Sequence, residues 1–198
     1  MGYAPSDPDL SERVAVKILI AGGFGVGKTT LVGSVSEIVP LRTEEYLTEE
    51  GFGIDDLSGV DLKRTTTVAL DFGRITINEN LVFYLFGAPG QDRFWFVWDE
   101  LAVGALGAVV LADTRRLQDC FPAVDYFEQR GIPFVVGVNC FDGARRHEPA
   151  KIRKALGIAP QIPIILCDVR VKESVKEVLT TLVTYAVKGV PAEPYPAH

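Results

Sequence analysis

No apolar run in this chain approaches the roughly 20 residues a membrane span needs, and the N-terminus lacks the basic-then-apolar order of a signal peptide. The expected compartment is therefore the cytoplasm, with any membrane recruitment left to partners. Basic charge is also scarce. A net charge of −6 and a pI near 5.0, with no Lys/Arg stripe, exclude nucleic acid as the main partner and direct binding to an anionic membrane. Cys120, Cys140 and Cys167 are odd in number and widely spaced in apolar surroundings, which suits reduced core thiols and excludes a disulfide framework. His147 has no second His or Cys at ligand spacing, so a zinc-type centre is not expected. Low-complexity segments are lacking too, so 198 residues of 47% hydrophobic composition read as one domain over 13–188 between polar, proline-bearing tails at 1–12 and 189–198.

What is present is a complete phosphate-binding pattern. Gly22-Gly23-Phe24-Gly25-Val26-Gly27-Lys28-Thr29 fills G-x-x-x-x-G-K-[ST]. It lies between a strand-like alternation (Val14, Val16, Ile18, Ile20) and a helix-like run over Thr29–Ile38 that includes Thr30. Glycine N–H groups can approach phosphate oxygens, and the helix N-terminus adds partial positive charge. Lys28 can bridge the outer phosphates, and the Thr29 hydroxyl can ligate Mg²⁺. A nucleoside triphosphate is the expected ligand. A glycine-rich turn that binds nothing would not require the lysine, the hydroxyl and both flanks together.

Further along, Pro40–Thr67 is long, polar and glycine-dotted, and is expected to be a switch-like segment. Val68–Ile77 and Leu81–Phe86 read as a strand pair across Asn78-Glu79-Asn80. Ala105–Ala112, Phe134–Asn139 and Ile162–Cys167 read as buried strands, with helices near 117–130, 149–156 and 172–187. This alternation predicts an α/β fold: three layers, a mostly parallel six-stranded sheet with one antiparallel strand, and helices on both faces. Ligands of such sheets sit at the strands' carboxyl ends.

Asn139 and Asp142 follow the apolar Val135-Val136-Gly137-Val138 and place an amide and a carboxylate at such an end. A carboxylate there can accept the ring N–H and the exocyclic amine of guanine, whereas adenine offers an acceptor at the same ring position. Guanine is favoured.

The order of these motifs resembles the small Ras-like GTPases over roughly residues 14–187. The resemblance implies the P-loop NTPase fold of that superfamily, GTP or GDP as ligand, Mg²⁺ as cofactor, and slow hydrolysis of GTP to GDP. It makes Thr67, with Thr65 and Thr66 as register alternatives, the second hydroxyl on Mg²⁺ and the sensor of the γ-phosphate. It makes Ala88-Pro89-Gly90-Gln91-Asp92-Arg93-Phe94 the second switch, with the Gly90 amide facing the γ-phosphate and Gln91 orienting the attacking water. Cys167-Asp168-Val169-Arg170 falls in the last base-binding box, where the Val169 N–H would meet the guanine oxygen.

Three departures stand out. Gly87 replaces the aspartate that normally holds Mg²⁺ through water, which leaves Thr29, Thr67, phosphates and solvent. Cys140 replaces the lysine that packs over the base. Phe24 stands where glycine is common and where a side chain can obstruct the glutamine. This combination is similar to the prokaryotic MglA-like GTPases, and Gly87-Ala88-Pro89-Gly90-Gln91-Asp92-Arg93-Phe94-Trp95-Phe96 with Val138–Asp142 and Cys167-Asp168 resembles those encoded in actinobacterial conservons. That likeness implies signalling, with a roadblock-domain partner and a sensor-kinase-associated complex.

Some residues read two ways. Arg64 is either an intrinsic arginine finger or a solvated loop arginine. Phe94, Trp95, Phe96 and Trp98 are either core packing or a docking surface, and consecutive aromatics cannot all face inward. Asp55, Asp56 and Asp61 read as turn formers in a glycine-containing loop. Two rivals to a hydrolysing switch stand beside it. One is a nucleotide-binding scaffold with little or no hydrolysis that docks a roadblock-type partner. The other is an ATP-using kinase-type enzyme, which leaves Asn139 and Asp142 unexplained.

Overall fold

In a computed structural model, residues 13–47, 66–90 and 95–189 are described. Seven strands among them form one sheet: β1 (Val14–Gly22), β2 (Leu41–Leu47), β3 (Thr66–Asn78), β4 (Leu81–Gly87), β5 (Ala105–Ala112), β6 (Phe134–Asn139) and β7 (Ile164–Cys167), in the order β2-β3-β4-β1-β5-β6-β7. β1 pairs in parallel with β4 and β5, and β5, β6 and β7 continue in parallel. β3 is antiparallel to both β2 and β4, so it alone runs against the rest. The α/β class and the single antiparallel strand are as expected, and the sheet gains an edge strand.

That strand is β2, which falls inside the segment expected to be an irregular switch. Leu41-Arg42-Thr43-Glu44-Glu45-Tyr46-Leu47 carries no apolar alternation that would mark it as a strand.

Five helices cover the faces: α1 (Lys28–Val35), α2 (Trp95–Ala102), α3 (Phe121–Gln129, preceded by a 3₁₀ turn over Leu117–Cys120), α4 (Pro149–Leu156) and α5 (Lys172–Val187). The alternation along each central strand sorts its side chains between two cores. Ile18, Ile20, Val109, Leu111 and Val135 pack with Leu31, Val32, Val175, Val178 and Leu182 of α1 and α5. Leu19, Ala21, Val110, Ala112 and Val136 pack on the opposite face with Trp98, Val124, Phe127, Ile152 and Leu156 of α2, α3 and α4. Both faces are thus buried, which is why these strands read as continuous apolar runs.

α1 stops at Val35, short of the expected Ile38, because the next two side chains bond to β3 instead. Ser36 is extended (φ −64°, ψ 133°) and its hydroxyl accepts the Arg74 N–H at 3.2 Å. The Glu37 carboxylate accepts from Arg74 Nε at 2.8 Å and from the Thr76 hydroxyl at 2.6 Å. β7 is likewise shorter than expected and begins just past Pro163, since proline cannot donate to a ladder.

Cys120 and Cys167 are the buried free thiols expected, while Cys140 is only half-buried at the end of β6. Burial pushes both buried thiols up to about 12. No helix among the described residues is long and apolar enough to cross a membrane.

Phe127 is fully buried between Trp98, Tyr126 and Phe134, with ring centroids 5.8, 5.2 and 6.1 Å away. Phe127→Ala is expected to cost about 3–5 kcal/mol through lost burial and the cavity left behind. Urea denaturation checks it: the midpoint should fall while the slope stays constant.

Candidate functional site

β1 lies at the centre of the sheet and its carboxyl end runs directly into the glycine loop, so the loop is anchored by buried strands on both sides. Gly27, at the N-cap of α1, takes φ 108°, and a Cβ on it would come within 2.9 Å of Val169 Cγ2 and 3.0 Å of Asn139 Nδ2. Only glycine allows that backbone conformation and that approach. The loop is closed from the α3 side as well, where Arg116 donates from its guanidinium to the Phe24 carbonyl at 3.2 Å. The Phe24 side chain is 72% exposed.

Lys28 opens α1, and its Nζ donates to the Gly22 and Gly23 carbonyls at 2.8 Å each. Burial lowers its pKa to about 8, and the Asp71 carboxylate opposes that shift. Two neutral carbonyls do not offset a desolvated charge, so the ammonium is held in readiness for an anion. Gly90 lies against this group: a Cβ there would be 2.7 Å from Lys28 Nζ and 2.9 Å from the Gly22 carbonyl oxygen.

The Thr29 hydroxyl donates to Asp71 Oδ2 at 2.5 Å. Asp71 belongs to β3 and is the cross-strand partner of Gly87 at the end of β4. A Cβ on Gly87 would stand 3.0 Å from Asp71 Cβ and 3.2 Å from Asp71 Oδ2. A carboxylate thus reaches Thr29 from β3, and Gly87 on β4 leaves the space for it. Asp71, in contact with Thr29, is not among the residues the sequence led us to expect at this site. Asp71 was hidden in sequence because strand register, not spacing along the chain, brings it to Thr29.

At the other end of the loop, Asn139 is buried and spans two segments. Its Nδ2 donates to the Val26 carbonyl at 3.0 Å, and its Oδ1 accepts the Val169 N–H at 3.3 Å. The Val169 N–H, expected to face a base oxygen, is thus directed to Asn139. Cys140 follows, its N–H donating to the Cys167 carbonyl at 2.7 Å, which ties the ends of β6 and β7 together.

Asp142 is exposed. Arg170 Nη1 and Nη2 donate to its two oxygens at 2.7 and 2.9 Å, while Arg170 Nε and Nη2 donate to Asp168 at 2.9 and 2.7 Å. The guanidinium holds Asp142 below the usual carboxylate range and Asp168 at about 2.

Gly22, Gly23, Phe24, Gly25, Val26, Gly27, Lys28, Thr29, Gly90, Asn139, Cys140, Asp142, Asp168 and Val169 thus converge on the carboxyl end of the sheet, and Thr30 is exposed on the first turn of α1. Thr66 and Thr67 fall in β3, and of these two only the backbone is described. Gln91, Arg64, Thr65, Phe94, Asp55, Asp56 and Asp61 lie outside the described residues. Of the aromatic run, Trp98 is core, its indole N–H donating to the Pro89 carbonyl at 3.0 Å. The docking surface expected there therefore cannot include it.

Residues 20–189 match the family described as conserved hypothetical ATP binding protein, and the chain belongs to that family. An uncharacterized protein of Methanocaldococcus jannaschii is 29% identical over 129 residues, covering 64% of this chain and 71% of that one. Among solved structures, the apo cytosolic domain of the T. maritima FeoB iron transporter has a TM-score of 0.62 at 18% identity, over 89% of this chain and 66% of that chain. The GMPPNP form has a TM-score of 0.61 at 16% identity, over 86% and 64%. The FeoB G-domain from Methanococcus jannaschii has a TM-score of 0.57 at 16% identity, over 88% and 99%. The chain spans a little under two thirds of the cytosolic FeoB domains, and the likeness is one of fold.

The lowered pKa of Lys28 has a defined sign. Between about 8 and the ordinary lysine value the unfolded chain holds a proton that the folded chain has lost, so this group makes stability rise with pH across that window. An anion seated on Lys28 restores its charge, so triphosphate binding near pH 9 should take up a proton. Titration calorimetry in buffers of different ionisation enthalpy checks this, and Lys28→Met should abolish the uptake.

Proposed function

We propose that the chain is a guanine-nucleotide-binding molecular switch that hydrolyses GTP to GDP, slowly alone and faster with a partner. The observation that carries the reading is Asn139, whose one buried amide ties the phosphate loop at Val26 to the base loop at Val169. It sits three residues before a carboxylate suited to guanine's two donors. FeoB cytosolic domains on this fold exist in GDP and GMPPNP forms, which supports a guanine nucleotide here.

In this reading the loop amides from Gly22 to Thr30 cradle the phosphates and Lys28 contacts the outer ones. The Gly90 amide faces the γ-phosphate, Gln91 orients the water for in-line attack, and Asp142 selects the base with Asn139, Cys140, Asp168 and Val169 around it. Thr29 and Asp71 supply hard oxygen donors in mutual contact, with Thr67 on the same strand as Asp71. Such a set suits Mg²⁺, which takes one or two protein oxygens and completes its shell with phosphate and water. When bound, the cation would neutralise charge on the phosphates.

The sequence resemblance to conservon-encoded GTPases supports a bacterial signalling role with a roadblock-type partner and a sensor-kinase-associated complex. A second reading, a nucleotide-holding scaffold with little hydrolysis, is favoured by one feature: Phe24, within the glycine loop, is exposed, at a position where a side chain can obstruct the glutamine.

Phosphate release from GTP and ATP with Mg²⁺, run with bound-nucleotide analysis of the purified chain, tests these readings. The switch predicts slow, GTP-selective release. Bound guanine nucleotide without release supports the scaffold, and ATP-selective release overturns both. Asp142→Asn is expected to weaken GTP and favour xanthosine triphosphate, because the donor and acceptor match is inverted; unchanged selectivity in a competition assay sinks the guanine assignment.

A further inference from the structure

Arg170 places its guanidinium on the one carboxylate to which the proposed function assigns base selection. Its contact with Asp142 is a parallel fork, Nη1 to Oδ2 at 2.7 Å and Nη2 to Oδ1 at 2.9 Å. Two donors on nitrogens that share one carbon, each meeting one carboxylate oxygen, is also the pattern that guanine's ring N–H and exocyclic amine present. A carboxylate has a single face on which both oxygens can accept such a pair at once. The guanidinium and a guanine base therefore exclude one another.

The rest of the geometry holds the arginine close by without committing it to Asp142. Asp168 takes a second pair of its donors, Nε to Oδ1 at 2.9 Å and Nη2 to Oδ2 at 2.7 Å, and also accepts the Arg170 backbone N–H at 3.0 Å. Asp168 is itself fixed by its N–H, which donates to the Ser174 hydroxyl at 3.0 Å in the first turn of α5. Its side chain is 29% exposed against 83% for Asp142. Releasing the Asp142 half thus leaves the arginine paired to a sheltered partner.

We propose that Arg170 is a built-in guanine mimic: it competes with guanine for Asp142, must withdraw onto Asp168 for guanine to bind, and so sets affinity and exchange rate. The proposal rests on the guanine reading of Asp142 and adds a competitor to it. A competitor that occupies the competent site lowers apparent affinity by the fraction of time the site is free. For an exposed ion pair that factor is about two- to fivefold. Because the contact is between exposed charges, salt weakens it.

The test is stopped-flow binding of fluorescent GDP and ADP to the full chain, using wild type, Arg170→Met, which keeps the apolar stem, and Arg170→Lys, which keeps the charge without the fork. The expected result is that both variants bind GDP about two- to fivefold tighter, with faster association and unchanged ADP affinity. Raising salt from about 0.05 to about 0.5 M should narrow the gap between wild type and Arg170→Met, because screening weakens the competing ion pair. If wild type prefers GDP over ADP and neither variant binds GDP tighter, the role of Arg170 is overturned while the guanine reading stands. If wild type shows no preference for GDP and Asp142→Asn changes nothing, the guanine reading fails and this proposal with it.

Discussion

A buried ammonium at the mouth of the sheet is the constraint around which the rest is organised. Lys28 is desolvated, held by two loop carbonyls, and brought near Asp71. Holding a lysine in that state costs stability, and the arrangement persists only because β1 and α1 fix the loop from both ends with fully buried residues such as Ile18, Ile20, Leu31 and Val32. The same desolvation makes an incoming phosphate oxygen favourable, since it restores the partner that water supplied in the unfolded chain. Site and core are thus coupled: the sheet supplies the rigidity that keeps a strained charge in place.

The second organising contact is neutral. Asn139 spends its amide entirely on backbone groups, joining Val26 in the phosphate loop to Val169 after β7. A buried amide satisfied at both ends fixes two loops relative to each other, and losing it would leave both backbone groups unpaired in a dry region. Charge is handled differently at the two ends of the site. At the phosphate end it is buried on two carbonyls, with the Asp71 carboxylate nearby. At the base end an exposed carboxylate, Asp142, and a half-buried one, Asp168, share the single guanidinium of Arg170.

Legibility in the sequence followed locality. The glycine loop, β1, β5, β6 and the Asn139–Asp142 pair were readable because each is contiguous and each sits where a buried parallel strand ends. β2 was not, since it carries no apolar period to detect. The helix α2 was masked by its own aromatics, which read as a possible surface until Trp98 proved to be core. Asp71 required knowing that β3 pairs antiparallel with β4 in the register that sets it opposite Gly87, which no spacing rule supplies. The Arg170 fork is three-dimensional in the same sense, since it joins loops 28 positions apart.

Asp71 reaches Thr29 from β3, and its cross-strand partner Gly87 on β4 leaves the space for it. The most direct measurement is GDP release, followed by fluorescence as free Mg²⁺ is titrated with chelator, in wild type, Asp71→Gly and the swap Asp71→Gly with Gly87→Asp. The account predicts that Asp71→Gly releases GDP at Mg²⁺ concentrations where wild type retains it, and that the swap recovers retention because a carboxylate again faces Thr29 from the adjacent strand. Identical Mg²⁺ dependence in wild type and Asp71→Gly would contradict it.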